Sequence, residues 1–314
     1  MNAKESNFVS AVIYLNQAST QVSPFLHRVG DFLNNKFKKY EIICVDDGCG
    51  KDTVQQVKEY SKSQRAAVTI IHMSLSQGLE CAMNAGLDCA IGDFVYEFDV
   101  VDLSWPQEML EKAYIMALSE NKDIVSAAPV GGKSKWTSRL FYDFFNYCTQ
   151  GIHSLRSEAF RLLSRRAINQ VHAISNHLPY RKAAYAFSGL AYGVLEYQGS
   201  SIESVQRRRF GQAVDSLVLY TDMGYRVSLT IAGVMLLLTF AELVYTLAIY
   251  IGGRPVSGWT TTMLVMTGSF FGLFCILTII IKYLALLTDL LFKQKRYLVE
   301  SVEKLPTGSF TEAK

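Results

Sequence analysis

The sequence predicts an α/β domain built on a mostly parallel sheet, followed by a two-helix transmembrane hairpin. Two observations carry this. Up to Phe98, β-rich runs alternate with helix-spaced runs across glycine turns, which is the mark of an α/β layer architecture. Further on, Ser228–Ile251 holds one charge, Glu242, and Trp259–Ile281 holds none. Each run exceeds the roughly 20 residues needed to cross a hydrocarbon core. The expected units are residues 1–227 as the α/β domain, 228–292 as the hairpin and 293–314 as a C-terminal tail.

In chain order, Phe8–Leu15 reads as a strand and Ser23–Phe37 as a helix with Phe25, Leu26, Val29 and Phe32 on one face. Tyr40–Val45 is the next strand, running into Asp46-Asp47-Gly48. Asp52 and Thr53 open the following helix, where Asp52 suits a cap. Val68–Met73, Gly78 and a helix through Ala90 repeat the unit, and Phe94–Phe98 closes it. Ile124–Ala128 is a further strand ended by Pro129. Lys133–Tyr147 is basic at one end and aromatic throughout, which suits a membrane interface or an ordinary core.

The stretch Gly92–Glu108 concentrates the chemistry. Its strand ends in Asp99 and Asp102 before Pro106 breaks the pattern. Carboxylates at the carboxyl end of a strand lie where open α/β sheets bind ligands. Two of them suggest a divalent cation holding a diphosphate, because Mg²⁺ takes a few carboxylates plus phosphate oxygens. Two solvated turn aspartates are the alternative.

Composition narrows the class. The 314 residues are 50% hydrophobic and 19% charged, and a net charge of +3 is too small to argue for nucleic acid. The six cysteines show no Cys-x-x-Cys spacing, which argues against zinc, and in a cytosolic domain they are expected to be reduced. Arg207, Arg208, Arg209 and Arg226 precede the hairpin and Lys293, Lys295 and Arg296 follow it, whereas the turn carries Arg254 alone. The positive-inside bias then puts both ends of the hairpin in the cytoplasm. Met1–Asn16 has no signal-peptide shape.

Tyr40–Thr53, with its Asp-Asp-Gly turn, resembles the nucleotide-sugar motif of family 2 glycosyltransferases of the GT-A fold. Phe160-Arg161-Leu162-Leu163-Ser164-Arg165-Arg166 resembles a segment of polyprenyl-phosphate hexosyltransferases, the group of dolichyl-phosphate mannose synthase and bacterial undecaprenyl-phosphate glucosyltransferases. Val256–Thr260 through Lys282–Leu284 to Arg296–Val299 is similar to the bacterial members' two-helix anchor. The resemblance implies an inverting transfer of a hexose from a nucleotide diphosphate sugar to a polyprenyl (undecaprenyl) phosphate at the cytoplasmic face of a bacterial inner membrane, for cell-surface glycan modification. It also implies Mg²⁺ or Mn²⁺, lipid contact and a homo-oligomer. Asp46 is then expected to contact base or ribose with Asp47 and Gly48 beside it, Asp99 and Asp102 to serve the metal and the departing diphosphate, and Arg161 to hold the acceptor phosphate with Arg208 or Arg209 nearby.

Several positions depart from the family's pattern. Ile13-Tyr14-Leu15-Asn16-Gln17 replaces Pro-x-Tyr-Asn-Glu, and Leu75-Ser76-Gln77-Gly78-Leu79-Glu80 lacks the usual arginine and lysine. The Asp-x-Asp pair carries one inserted residue, so either Asp99 and Asp102 both reach the metal through a bulged turn or one does. Ala159 stands where an acid precedes Phe-Arg-Leu-Leu, with Glu158 one residue earlier. Ala213-Val214 replaces Ser-Lys after the arginine triplet, and a juxtamembrane cluster facing anionic lipid is the plainer reading of that triplet. These changes keep open a second function, a catalytically degenerate membrane scaffold or subunit. Within the hairpin, Glu242 is expected to hydrogen-bond Thr267 or Ser269, inside one chain or between subunits, beside the Gly268-x-x-x-Gly272 pair.

Overall fold

The computed structural model describes residues 4–64, 66–130, 158–174, 181–199, 223–253, 258–291 and 297–306. They fall into two compact units, residues 1–214 with 294–314 and residues 215–293.

In the first unit, β1 (Glu5–Leu15), α1 (Val22–Lys36), β2 (Phe37–Asp46), α2 (Lys51–Lys62), β3 (Ala67–Met73), α3 (Leu79–Cys89), β4 (Phe94–Phe98) and α4 (Glu108–Ser119) alternate as the sequence predicts. β5 (Ile124–Val130), β6 (Phe160–Ser164), α5 (Arg165–Ile174), α6 (Arg181–Phe187) and β7 (Tyr192–Gln198) follow, and β8 (Val299–Leu305) comes from the far end of the chain. The eight strands lie in the order β7-β5-β6-β4-β1-β2-β3-β8. β1 pairs in parallel with β2 and β4, and β2 with β3. β6 and β8 run antiparallel to their neighbours.

β1 is buried from Val9 to Leu15 without polar alternation apart from Ser10, as befits a central parallel strand covered on both faces. β4 does alternate. Tyr96 and Phe98 enter an aromatic core with Phe25, Trp105 and Phe160, in which Phe25 meets Phe98 edge-on at 5.2 Å and Trp105 lies 5.1 Å from Phe160. Such ring pairs contribute about 0.5–1.5 kcal/mol each beyond their buried area. The period-2 rule sends Glu97 and Asp99 to the opposite face. The strand order reverses at β1, with β2 and β3 on one side and β4 on the other, which creates a switch point at the carboxyl ends of β1, β2 and β4.

Two sequence expectations change here. Asp52 lies inside the first turn of α2 and Gly50 takes the cap position without a side-chain bond. Residues 299–305, expected within a tail, form β8 and complete the sheet at β3. The helix expected over 133–147 lies outside the described residues.

The second unit holds α7 (Met223–Ile251) and α8 (Trp259–Leu291), which pack against each other. Thr230–Ile251 and Trp259–Leu284 are long and apolar enough to cross a membrane.

Candidate active site

At the switch point β2 delivers the Asp-Asp-Gly turn and β4 delivers Asp99 and Asp102. Gly48 adopts φ +79°, in the left-handed region that a side chain disfavours, so the tight reversal after Asp47 calls for glycine. The two aspartates do different work. Asp47 is 2% exposed and accepts hydrogen bonds from the Tyr14 hydroxyl at 2.8 Å, the Gln77 amide at 2.7 Å, the Gly78 amide at 2.9 Å and the Ser76 hydroxyl at 3.3 Å. It is the hub around which the β3–α3 turn wraps. Asp46 is partly open, accepting from the Cys49 amide at 2.8 Å and lying 2.8 Å from His72 Nδ1. Burial alone would raise the Asp46 pKa, but the hydrogen bonds from Cys49 and the contact with His72 lower it below the ordinary carboxylate value.

Beside this turn lies a buried ionic network. Glu97 on β4 faces Arg161 on β6 across the antiparallel ladder. Arg161 Nε donates to Glu97 at 2.7 Å, Nη1 to Glu158 at 2.9 Å and Nη2 to Asp99 at 2.9 Å. Arg181, at the start of α6, donates from Nε to Glu80 at 2.9 Å, from Nη1 to Glu97 at 3.1 Å and from Nη2 to Asp99 at 2.6 Å. The hydroxyls of Tyr185 and Tyr192 donate to Glu97 at 2.9 Å and to Glu158 at 2.7 Å, and Lys182 Nζ approaches Glu158 at 3.5 Å. Four carboxylates therefore meet three cations. Burial would lower the Arg161 pKa, yet Asp99, Glu97 and Glu158 raise it well above the ordinary arginine value. Burial would raise that of Glu158, and Lys182, Arg161 and Tyr192 lower it instead.

The expected site residues that fall among the described ones take up distinct positions. All three nitrogens of Arg161 are committed to carboxylates, so its guanidinium braces the β4 strand end. Asp99 gives one oxygen to each arginine. Asp102 is half-buried and accepts bonds from the backbone amide and hydroxyl of Ser104. Glu158 belongs to the network, and Arg208 and Arg209 lie outside the described residues. The loop carrying Asp99 and Asp102 is tied from α1, where Arg28 donates to the carbonyls of Leu103 at 2.9 Å and Trp105 at 3.0 Å. Sequence reasoning passed over Arg28, Glu80, Glu97, Arg181 and Tyr185. For Glu97 a signal existed, since alternation along Phe94–Phe98 aligns it with Asp99; for Arg181 and Arg28 none did.

The donor set decides how a divalent cation fits. Mg²⁺ and similar hard ions accept one or two carboxylates together with phosphate oxygens and water. Asp102 can supply one such oxygen, whereas Asp99 already satisfies two guanidinium groups. Among the described residues no group of three His, Cys, Asp or Glu side chains converges as a cation cage. Were a cation bound chiefly by ligand phosphates, Asp102 is the strand-end carboxylate that would contact it, since both oxygens of Asp99 are engaged by arginines.

A mostly parallel α/β sheet with acidic strand ends at its switch point is an architecture of the GT-A type. Residues 14–186, more than half of the chain, match Glycosyl transferase family 2, and the protein belongs to that family. It is 29% identical over 155 residues to an uncharacterized glycosyltransferase of Synechocystis, covering 48% of each chain. It is 27% identical over 254 residues to the Bacillus subtilis protein CsbB, covering 74% of each. With an undecaprenyl-phosphate 4-deoxy-4-formamido-L-arabinose transferase of Edwardsiella ictaluri it shares 26% identity over 136 residues, 43% of this chain and 41% of that one. The match thus spans about half the length of the first relative and less of the third. Among solved structures, glucosyl-3-phosphoglycerate synthase from Mycobacterium tuberculosis with Mn²⁺, UDP-glucose and phosphoglyceric acid superposes at a TM-score of 0.51 with 14% identity, covering 68% of this chain and 79% of that one. That likeness is one of fold.

Proposed function

We propose that the protein is an inverting glycosyltransferase that moves a hexose from a nucleotide diphosphate sugar to a polyprenyl phosphate at the cytoplasmic membrane face. The observation that carries the reading is the gathering of Asp46, Asp99 and Asp102 at the carboxyl ends of β2 and β4, on either side of β1 where the strand order reverses. Family membership supports transfer chemistry, and a relative's name, undecaprenyl-phosphate transferase, supports the acceptor class.

Asp46, the more open of the two turn acids, meets the nucleoside while Asp47 holds the turn. When bound, a divalent cation, Mg²⁺ or Mn²⁺, would be contacted by Asp102 and would supply charge stabilisation to the departing diphosphate. Asp102 orients that charge from the protein side. Arg161 and Arg181 keep Asp99 and Glu97 fixed beneath the site. A phosphate monoester, with a second pKa near about 6, is largely dianionic at neutral pH and needs positioning more than a strong base. Arg208 and Arg209, whose guanidinium forks suit phosphate, take that role in place of the committed Arg161. The arginines and lysines that flank the hairpin in sequence support both of its ends lying on one side of a membrane. We also propose that two copies associate through the hairpin, because Glu242 is exposed on the helix pair and an intramembrane acid needs a partner.

The test is a screen of nucleotide sugars with purified protein, undecaprenyl phosphate and Mg²⁺ or Mn²⁺, read by product mass. A glycosylated lipid phosphate is expected. Absence of any product with every donor, together with no cation-dependent hydrolysis of the sugar nucleotide, would favour a membrane scaffold, the reading to which the double clamp on Asp99 lends support.

A further inference from the structure

The C-terminal strand touches the nucleotide turn through two separate sets of contacts. β8 pairs antiparallel with β3 from Val68↔Leu305 to Met73↔Val299. Just before it, the Gln77 carboxamide clasps the backbone of Leu298 in both directions: Nε2 donates to the Leu298 carbonyl at 2.7 Å and the Leu298 amide donates to Oε1 at 2.9 Å. The Ser74 amide donates to the same carbonyl at 3.1 Å. Gln77 is also one of the residues whose backbone amide holds Asp47. One side chain therefore joins Leu298 to the turn that encloses Asp47.

The second set runs through His72. Its Nδ1 lies 2.8 Å from Asp46 and its Nε2 3.4 Å from Glu303 on β8, while Lys58 of α2 holds the other Glu303 oxygen at 2.9 Å. An imidazole held at both nitrogens has its ring plane fixed, and so has the carboxylate it meets. Without β8, His72 would keep one partner and could rotate. The Gln77 side chain would lose both Leu298 bonds, and the Ser74–Gly78 turn, with Gly78 at φ +90°, would keep its bonds to Asp47.

We propose that β8, the segment next after the membrane hairpin, is a positioning element of the donor site, acting through Gln77 on Asp47 and through His72 on Asp46. The inference rests on the reading above that Asp46 meets the nucleotide. None of these β8 residues touches the reacting atoms; they set where the two aspartates stand. A change in β8 should therefore weaken donor binding and leave acceptor binding and saturated turnover alone.

The test uses the full chain in detergent. Binding of UDP-glucose and of GDP-mannose, each with Mn²⁺, is measured by calorimetry for the parent, Gln77→Ala, Glu303→Gln, the double variant and Asp46→Ala. Backbone amide exchange at Gln77 and Gly78 is followed alongside. Gln77→Ala is expected to raise the donor Kd about tenfold, the loss of one to two ordinary hydrogen bonds. The double variant should lose more than either single one, with the melting temperature within a few degrees of the parent and faster exchange at both amides. With a donor that turns over, its KM should rise while kcat and the acceptor KM stay put. Unchanged exchange in Gln77→Ala would overturn the proposal whatever the donor. If Asp46→Ala abolishes binding while Gln77→Ala and the double variant match the parent, the role of β8 fails and the donor site stands. If Asp46→Ala binds like the parent, or the parent binds neither nucleotide, the donor reading falls, and the exchange data still decide whether β8 orders the turn.

Discussion

Asp99 and Asp102 sit three residues apart and yet face different surroundings. Asp99 is enclosed by Arg161 and Arg181, and Asp102 is half-buried at a loop held by Arg28. In the role proposed for it, Asp102 stabilises transition-state charge, so Asp102→Asn should lower transfer about 10²–10³-fold with little change in melting temperature; steady-state turnover at several Mn²⁺ concentrations checks it. Asp99→Asn should instead destabilise by about 3–5 kcal/mol, because it leaves two buried guanidinium groups short of a partner. Denaturant titration reads that loss, and an Asp99→Asn protein as stable as the parent would show that the network tolerates the missing charge. Acid should act through Glu158. A carboxyl whose pKa is lower folded than unfolded adds stability above its unfolded value, and that stability disappears as pH falls through the folded one. The parent is expected to melt earlier as pH drops below the ordinary carboxylate range of about 4, and Glu158→Gln to show a shallower acid limb. Parallel limbs in thermal scans at stepped pH would sink this. The acids at the strand ends were legible because position along a strand is local information. Their cations were not: Arg181 is 82 residues from Asp99 along the chain and meets it only through the packing of α6.

At the scale of elements, the β–α alternation through β4 was readable from periodicity, and β4 itself falls on the expected residues Phe94–Phe98. β8 was not. Val299–Leu305 carries Glu300, Glu303 and Lys304, its exposed pattern is that of an edge strand, and no local signal says which strand it joins. Its partner is chosen by the exposed rim of β3 and by the Gln77 and His72 contacts, which are long-range. Removing residues 297–306 should leave β3 as an unpaired edge. The expected result is a fall in melting temperature of about 5 °C or more, equivalent to about 2 kcal/mol for a unit of this size, with aggregation on standing. Scanning calorimetry and light scattering check it, and an unchanged melt would mean that β3 does not need its partner for stability.

At the scale of the whole molecule, the two long apolar helices of the second unit were legible from length and apolarity alone, whereas the surroundings of Glu242 were not. Glu242 is exposed on the helix pair and forms no hydrogen bond with Thr267 or Ser269 inside one chain: the Ser269 hydroxyl donates to the Val265 carbonyl at 2.8 Å, and the Thr267 hydroxyl is buried without a protein partner among the described residues. The intrachain version of the expected bond is therefore not what the helices form. Gly268 and Gly272 have nothing within 4 Å of where a Cβ would stand, and with Ser269 and Leu273 they line an open groove on α8. A second helix can approach such a surface closely, and an acid in hydrocarbon stays only where something satisfies it. If a second copy supplies both, Gly268→Leu should block the approach and Glu242→Leu should remove the polar contact, each lowering the dimer fraction in detergent at least about tenfold without altering the fold of the α/β unit. Light-scattering mass after size exclusion and circular dichroism read the two effects separately. A parent that runs as a monomer, or two variants that dimerise like the parent, would leave Glu242 facing lipid headgroups and end the case for association through the hairpin.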